Sequence, residues 1–345
     1  MFRYCLPAAV VASFSVPVLA DVPVVATDIA PVHALVTQVM AGVGMPELII
    51  PPRASPHGYA MRPSEARALN AADLVVWVGP SLTPWLAEPI ETLAGSATHL
   101  TLMDQPGTHI LPFREGATFE AHDHDDEGHA AEQHGDEDHG ENHDDHEEDH
   151  AGHDHAADDH AGHDHDTHEG HAHGGNDPHV WLDPRNGQLW LGQIAEALAE
   201  RDPDNAKTYL DNALAAQEEL ARLETEITAQ LAPLRGRPFI VFHDAYHYFE
   251  ARFDIEAAGA ISENDARAPG AARLAELRAV VSATGATCVF AEPQFNPGLV
   301  AAIADGQAVK TGTLDPLGAA LTPGAALYRD LLRGMADSMA ACLSE

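Results

Sequence analysis

Three short segments each carry a histidine beside proline or aspartate: Ala54-Ser55-Pro56-His57-Gly58-Tyr59, Asp177-Pro178-His179-Val180-Trp181-Leu182-Asp183-Pro184, and Phe242-His243-Asp244-Ala245-Tyr246. Neutral imidazole nitrogen is a ligand Zn²⁺ favours, at about 2.0–2.1 Å. Proline restricts the backbone around it, so such loops can hold a ring in place. A fourth position would fall to water or to a carboxylate. Asp315, in Gly312-Thr313-Leu314-Asp315-Pro316-Leu317-Gly318, is the carboxylate candidate. Any one of these histidines alone reads as a satisfied loop residue. The case for a metal needs all three to converge.

The other histidines divide sharply. Of 23 in the chain, 16 lie between His122 and His173, and residues 120–173 add 21 acidic side chains with no Lys or Arg. That tract has too few large apolar residues to bury a core and is expected to be a disordered insertion. Within it, His146-Glu147-Glu148-Asp149-His150 matches the HExxH protease pattern. The pattern works only on an ordered helix, and a tract this rich in His and Glu produces it by chance. His247 follows His243 by four residues and reads as a solvated helix histidine. His33, His99 and His109 read as surface or loop residues, and Glu292 as a turn carboxylate rather than a ligand.

Composition limits the alternatives. A net charge of −36 argues against nucleic acid as a partner, because little here would neutralise phosphates. Residues 1–20 carry Arg3, an apolar run and Val18-Leu19-Ala20, the pattern of a cleaved signal peptide, so a periplasmic location is expected. Cys5 comes too early in that run to anchor a lipid. Cys288 and Cys342 remain, and in an oxidising compartment they suggest one disulfide, with two buried free thiols as the alternative.

The elements that must position these residues alternate. Strand-like runs at 24–29, 46–50, 73–79 and 98–103 are separated by helical runs at 31–43, 63–72 and 81–95. Strands at 238–242, 255–261, 286–291 and 308–314 alternate with helices near 245–253, 270–284, 297–307 and 323–342. Such alternation implies βαβ units and parallel sheets. Between them, 185–201 reads as one helix. Asp202-Pro203 reads as the cap and first turn of another, reaching about Leu231. About 30 helical residues would extend roughly 45 Å, which suits a strut. The fold expected is α/β: two lobes with four-stranded, mostly parallel sheets, joined by a long linking helix. The boundaries expected are a signal peptide at 1–20, a first lobe at 21–184 with the insertion at about 115–176, linking helix at 185–234, and a second lobe at 235–345. Each of the three histidines then falls at or after a strand end or loop, where open α/β sheets bind ligands.

These segments resemble the cluster A-I, or ZnuA-type, solute-binding proteins of metal ABC transporters. The likeness covers nearly the whole mature chain, including residues 71–79, 179–184, 242–246, Phe290-Ala291-Glu292-Pro293-Gln294-Phe295 and 312–318. It implies a cleft metal site, with His57 and His179 from the first lobe and His243 from the second. It also implies a disulfide between Cys288 and Cys342. Manganese-type relatives carry a carboxylate in place of His243, and three nitrogens favour zinc. Some zinc members have an acidic residue before the first histidine, where this chain has Pro56, so water or Asp315 must complete the shell. The function implied is capture of Zn²⁺, as transported ligand, for the membrane permease of an ABC transporter, by a monomer. An accessory periplasmic zinc chaperone is a further candidate partner. Two other readings stand beside it. A zinc hydrolase would also use three histidines and water, although no conspicuous general base accompanies these. A metal buffer would place the tight binding in residues 120–173.

Overall fold

The computed structural model describes residues 22–114, 175–262 and 271–344. The expected signal peptide and nearly all of the expected insertion lie outside them. Among the described residues no helix is long and apolar enough to cross a membrane.

The first lobe is built from β1 (Val25–Thr27), α1 (Ala30–Val39), β2 (Glu47–Leu48), α2 (Pro63–Asn70), β3 (Leu74–Trp77), α3 (Pro84–Leu93) and β4 (Thr98–Thr101). Its strands pair in parallel in the order β2-β1-β3-β4. Pro31, Pro63 and Pro84 sit in the first turns of α1, α2 and α3, where a missing N–H costs nothing. β1 and β3 are buried on both faces, as apolar runs without alternation require of central parallel strands.

The second lobe repeats the plan. It contains β5 (Phe239–His243), α6 (His247–Phe253), β6 (Gly259–Ser262), α7 (Ala271–Thr284), β7 (Cys288–Ala291), α8 (Pro297–Ala304) and β8 (Lys310–Thr313). Its parallel order is β6-β5-β7-β8. Side chains alternate along β5 with period two. Ile240 and Phe242 face a small core with Leu277, Val281 and Ile303. Phe239 and Val241 face the large core, which runs without a break into the first lobe and includes Val25, Leu35 and Trp190. His243 ends the strand in register with this second set.

The connection is a helical hairpin rather than a single rod. A 3₁₀ turn (Val180–Leu182) leads into α4 (Pro184–Arg201), and a tight turn leads into α5 (Ala206–Leu231). The two helices run antiparallel, tied by Arg185 to Glu224 at 2.9 Å and by Gln217 to the Gln188 carbonyl at 2.8 Å. Asp202 does not cap α5 as the sequence suggested. It ends α4, is fully buried, and accepts hydrogen bonds from Asn205 and the Tyr209 hydroxyl, both at 2.8 Å. The 26 residues of α5 extend about 39 Å.

A second bridging helix was not foreseen. α9 (Leu327–Leu343) packs on β8 of the second lobe and also on α1 and α5. Cys342 on α9 is disulfide-bonded to Cys288 at the start of β7, with 6.0 Å between Cα atoms. Tyr328 of α9 donates to the Trp181 carbonyl at 2.6 Å. A Cβ at Gly187 on α4 would lie 2.6 Å from that hydroxyl, so only glycine permits this approach.

Candidate metal site

His57 lies in the loop between β2 and α2. The Trp85 indole of α3 donates to the carbonyl of Pro56 at 2.8 Å and pins the loop beside the histidine. His179 immediately precedes the 3₁₀ turn, and Asp183 caps α4 by accepting from the Arg185 N–H at 2.9 Å. Trp181 donates to the Pro316 carbonyl at 2.7 Å, joining this segment to the loop after β8. His243 ends β5.

These three histidines converge. Each offers one ring nitrogen within 4.8 Å of the other two. Ring centroids are 5.4 Å apart for His57 and His179, and 5.3 Å apart for His179 and His243. His179 and His243 are buried and His57 is half-buried. A tetrahedral zinc with bonds of about 2.0–2.1 Å needs nitrogens about 3.3 Å apart, so a contraction of the set by up to about 1.5 Å would close it. The cavity they line, about 20 Å³ in volume, is also walled by Trp181, Glu292, Gln294 and Phe295. That is room for an ion or one water and far too small for an organic ligand.

Two buried carboxylates orient the rings. Asp177 Oδ1 lies 2.7 Å from His179 Nδ1 and also accepts the His179 backbone N–H at 2.9 Å. Glu292 Oε1 lies 2.6 Å from His243 Nδ1. With Nδ1 engaged, Nε2 is the atom left for a metal, the arrangement typical of metal-ligating histidines. Burial pushes Asp177 up to about 7, offset in part by the His179 N–H and by the charges of His247 and Arg114.

The remaining candidates are elsewhere engaged. Asp315 is not among the donors that converge. Its two oxygens accept the backbone N–H groups of Ala319 and Ala320 at 2.9 and 3.0 Å, tying its own loop. Glu292 is a buried partner of a ligand candidate rather than a simple turn carboxylate. His247 lies 4.0 Å from Asp177, and burial, then Arg114, hold its imidazole below its ordinary value. His33 is a correction: it is buried on α1, with Nε2 3.2 Å from the Pro46 carbonyl. His99 and His109 lie on the surface, 2.8 Å from the Ala94 carbonyl and 3.0 Å from Asp183 respectively.

The lobes also meet around α6. Arg114 pairs with Glu250 at 2.6 Å and with Asp244, the residue after His243. Arg252 pairs with Asp183 at 2.6 Å. The Tyr248 hydroxyl accepts from Leu111 N–H at 2.9 Å and donates to the Asp177 carbonyl at 2.8 Å.

Two parallel-sheet lobes sharing bridging helices, with three histidines gathered between them at strand and loop ends, define a two-lobed binding protein for a small cation. Residues 24–342 match the family model described as zinc-uptake complex component A, periplasmic. The chain belongs to this family. It is 49% identical over 321 residues to the high-affinity zinc uptake system protein ZnuA of Brucella suis, covering 93% of this chain and 92% of that protein. It is 48% identical over 337 residues to the protein of that name from Paracoccus denitrificans, covering 97% and 96%. Among solved structures, a crystal structure of ZnuA superposes with TM-score 0.69 at 24% identity, covering 94% of this chain and all of that one. A zinc-bound ZnuA deletion mutant superposes with TM-score 0.66 at 22% identity, covering 94% and 99%. At those identities the structures speak to the fold alone.

Proposed function

We propose that this protein captures Zn²⁺ in the periplasm and delivers it to the membrane permease of a zinc-uptake ABC transporter. His57, His179 and His243 hold the ion, with Asp315 or water completing four-coordination. The observation that carries this reading is the convergence of three imidazoles, two of them oriented through Nδ1 by buried carboxylates. An all-nitrogen protein set suits zinc better than a hard, oxygen-preferring ion. Membership of the zinc-uptake family supports the transport role. The ion is cargo, so the chain works as a monomeric carrier, without turnover. Glu292, the acidic side chain in the cavity wall, is engaged through Oε1 in holding the His243 ring.

The test is zinc affinity by chelator competition in a variant lacking residues 120–173, which removes the competing tract. The parent should retain one tight site. His243→Ala should lose more than the roughly 10–100-fold that loss of an outer partner costs a metal site. An unchanged affinity in folded His243→Ala protein would remove the histidine from the site. Loss of tight binding on deleting the tract alone would instead favour the buffer reading.

A further inference from the structure

Among the described residues, the polar contacts of α6 with the first lobe fall on two short segments, 111–114 and 177–183. Tyr248 holds Leu111 and the Asp177 carbonyl, and Arg252 holds Asp183. The second of these segments carries His179. The two segments are also joined to each other. Asp177 N–H donates to the Leu111 carbonyl at 2.9 Å, and Phe113 N–H donates to the Gly175 carbonyl at 3.1 Å. Arg114 stands one residue past that ladder. Its Nη1 donates to Glu250 Oε2 on α6 at 2.6 Å, its Nε lies 3.1 Å from both oxygens of Asp244, and its Nη2 also bonds Asp244 Oδ1. Asp244 directly follows His243. The three side chains are largely shielded from solvent, at 10% exposure for Arg114, 11% for Asp244 and 1% for Glu250. A bonded path thus runs from the neighbour of His243 through Arg114 and the ladder to Asp177, and from Asp177 Oδ1 to His179 Nδ1 at 2.7 Å.

We propose that Arg114 is a positioning residue for the metal site, its forked guanidinium holding His243 at the spacing from His179 that one ion needs. The inference rests on reading the three histidines as a zinc site. The two rings come from different lobes and stand 5.3 Å apart between centroids. Zinc–nitrogen bonds of about 2.0–2.1 Å leave little tolerance in that spacing. A planar guanidinium suits the task, because it grips two carboxylates in fixed directions, whereas an ammonium is a point charge on a flexible stem. The charge of Arg114 by itself works against binding, since like charges repel. That charge is felt in the site, where it offsets part of the burial that raises the Asp177 carboxyl. Position and charge therefore predict opposite outcomes when the guanidinium is removed.

The experiment uses the full chain with one equivalent of zinc in competition with a chelator. Arg114→Lys keeps the charge and loses the fork, and zinc binding should weaken about tenfold, the lower end of what loss of an outer partner costs. Arg114→Met should weaken it as well. The Co²⁺ form of Arg114→Lys should show visible bands changed in position and intensity, because its nitrogen donors are displaced. Asp244→Asn keeps the shape but removes the charge that the fork grips. It should weaken zinc in the same direction, and it decides the matter if the arginine variants fold poorly. Tyr209→Phe removes a buried hydrogen bond to Asp202 at the turn between α4 and α5, outside both segments. It should lower Tm while leaving zinc affinity and the Co²⁺ spectrum at parent values. Parent affinity and spectrum in Arg114→Lys, tighter zinc in Arg114→Met, or equal weakening in Tyr209→Phe would overturn the proposal. His243→Ala serves as the control. If it leaves affinity unchanged, the zinc site itself is misassigned. If it abolishes binding while Arg114→Lys binds like the parent, only the role of Arg114 falls.

Discussion

The 2.6 Å contact between Glu292 and His243 Nδ1 fixes both the tautomer and the direction of the His243 ring. Glu292→Gln keeps the shape but removes the charge and lets the amide turn its N–H₂ toward the ring. Zinc affinity should fall about 10–100-fold, with little change in the fold, because outer-shell carboxylates typically contribute that much. Chelator competition measures the loss, and circular dichroism checks the fold. A change under twofold would mean the ring is held by packing against Phe295, 5.7 Å away between centroids. The three histidines that converge were singled out in the sequence because their flanking residues make three recognisable segments. The carboxylate partners were not assigned. Glu292 meets His243 across 49 residues of chain, by pairing of β5 with β7, which no local pattern reports. Asp177 stands two residues before His179, and its place in Asp-Pro-His was the available signal. His33 was misread for a related reason: its partner is the carbonyl of Pro46, in a segment that folds back beside α1.

At the scale of elements, one buried carboxylate joins three of them. Asp28 follows β1 and accepts from Ile29 N–H at the start of α1 and from Val78 N–H just after β3, both at 2.7 Å. Burial outweighs these bonds and raises its value from 3.8 to about 7. Between those values the folded metal-free protein holds a proton that the unfolded chain has released. The protonated group's contribution to stability is therefore present at low pH and is lost as pH rises from about 4 to about 7. Asp28→Asn should be less stable than the parent near pH 4.5, where it replaces a protonated acid, and should close that gap or reverse it by pH 7.5. Thermal melts of the two metal-free proteins across that range test the sign. A constant difference would show that Asp28 stays ionised throughout. Elements of this kind were largely readable in advance, since apolar runs and proline-marked helix starts named all eight strands of the described residues. What the sequence concealed was which helices bridge the lobes. α9 is amphipathic like any lobe helix, and its packing on α1 joins residues nearly 300 positions apart, as does the bond from Gln38 of α1 to the carbonyl of Ala325, just before α9. The Asp202-Pro203 pair imitated a helix start because aspartate suits the end of one helix in a tight turn as well as the beginning of the next.

For the whole molecule, the proposed function sets two sources of metal donors on one chain. The cleft presents donors already gathered within 4.8 Å and steered by carboxylates. Residues 120–173 present 16 histidines and 21 carboxylates whose sequence supplies too few large apolar side chains to arrange them. An ion bound there must organise its own ligands, so each such site should be weaker. The described residues on either side of the tract lie beside this centre. Pro112 bridges Asn176, one residue before Asp177, and Arg114 reaches Asp244, one residue after His243. Calorimetry of the protein should accordingly resolve one tight zinc site and several weak ones, with deletion of residues 120–173 removing only the weak class. The two classes should also part on acidification. Zinc needs neutral imidazole, and an unperturbed histidine titrates near about 6.5. The weak class should therefore release zinc as pH falls through about 6. The cleft should hold it longer, because tighter binding competes better with protons for the same nitrogens. Parallel loss of both classes, or a single class of sites in the titration, would falsify the separation and place the tract and the cleft in one binding unit.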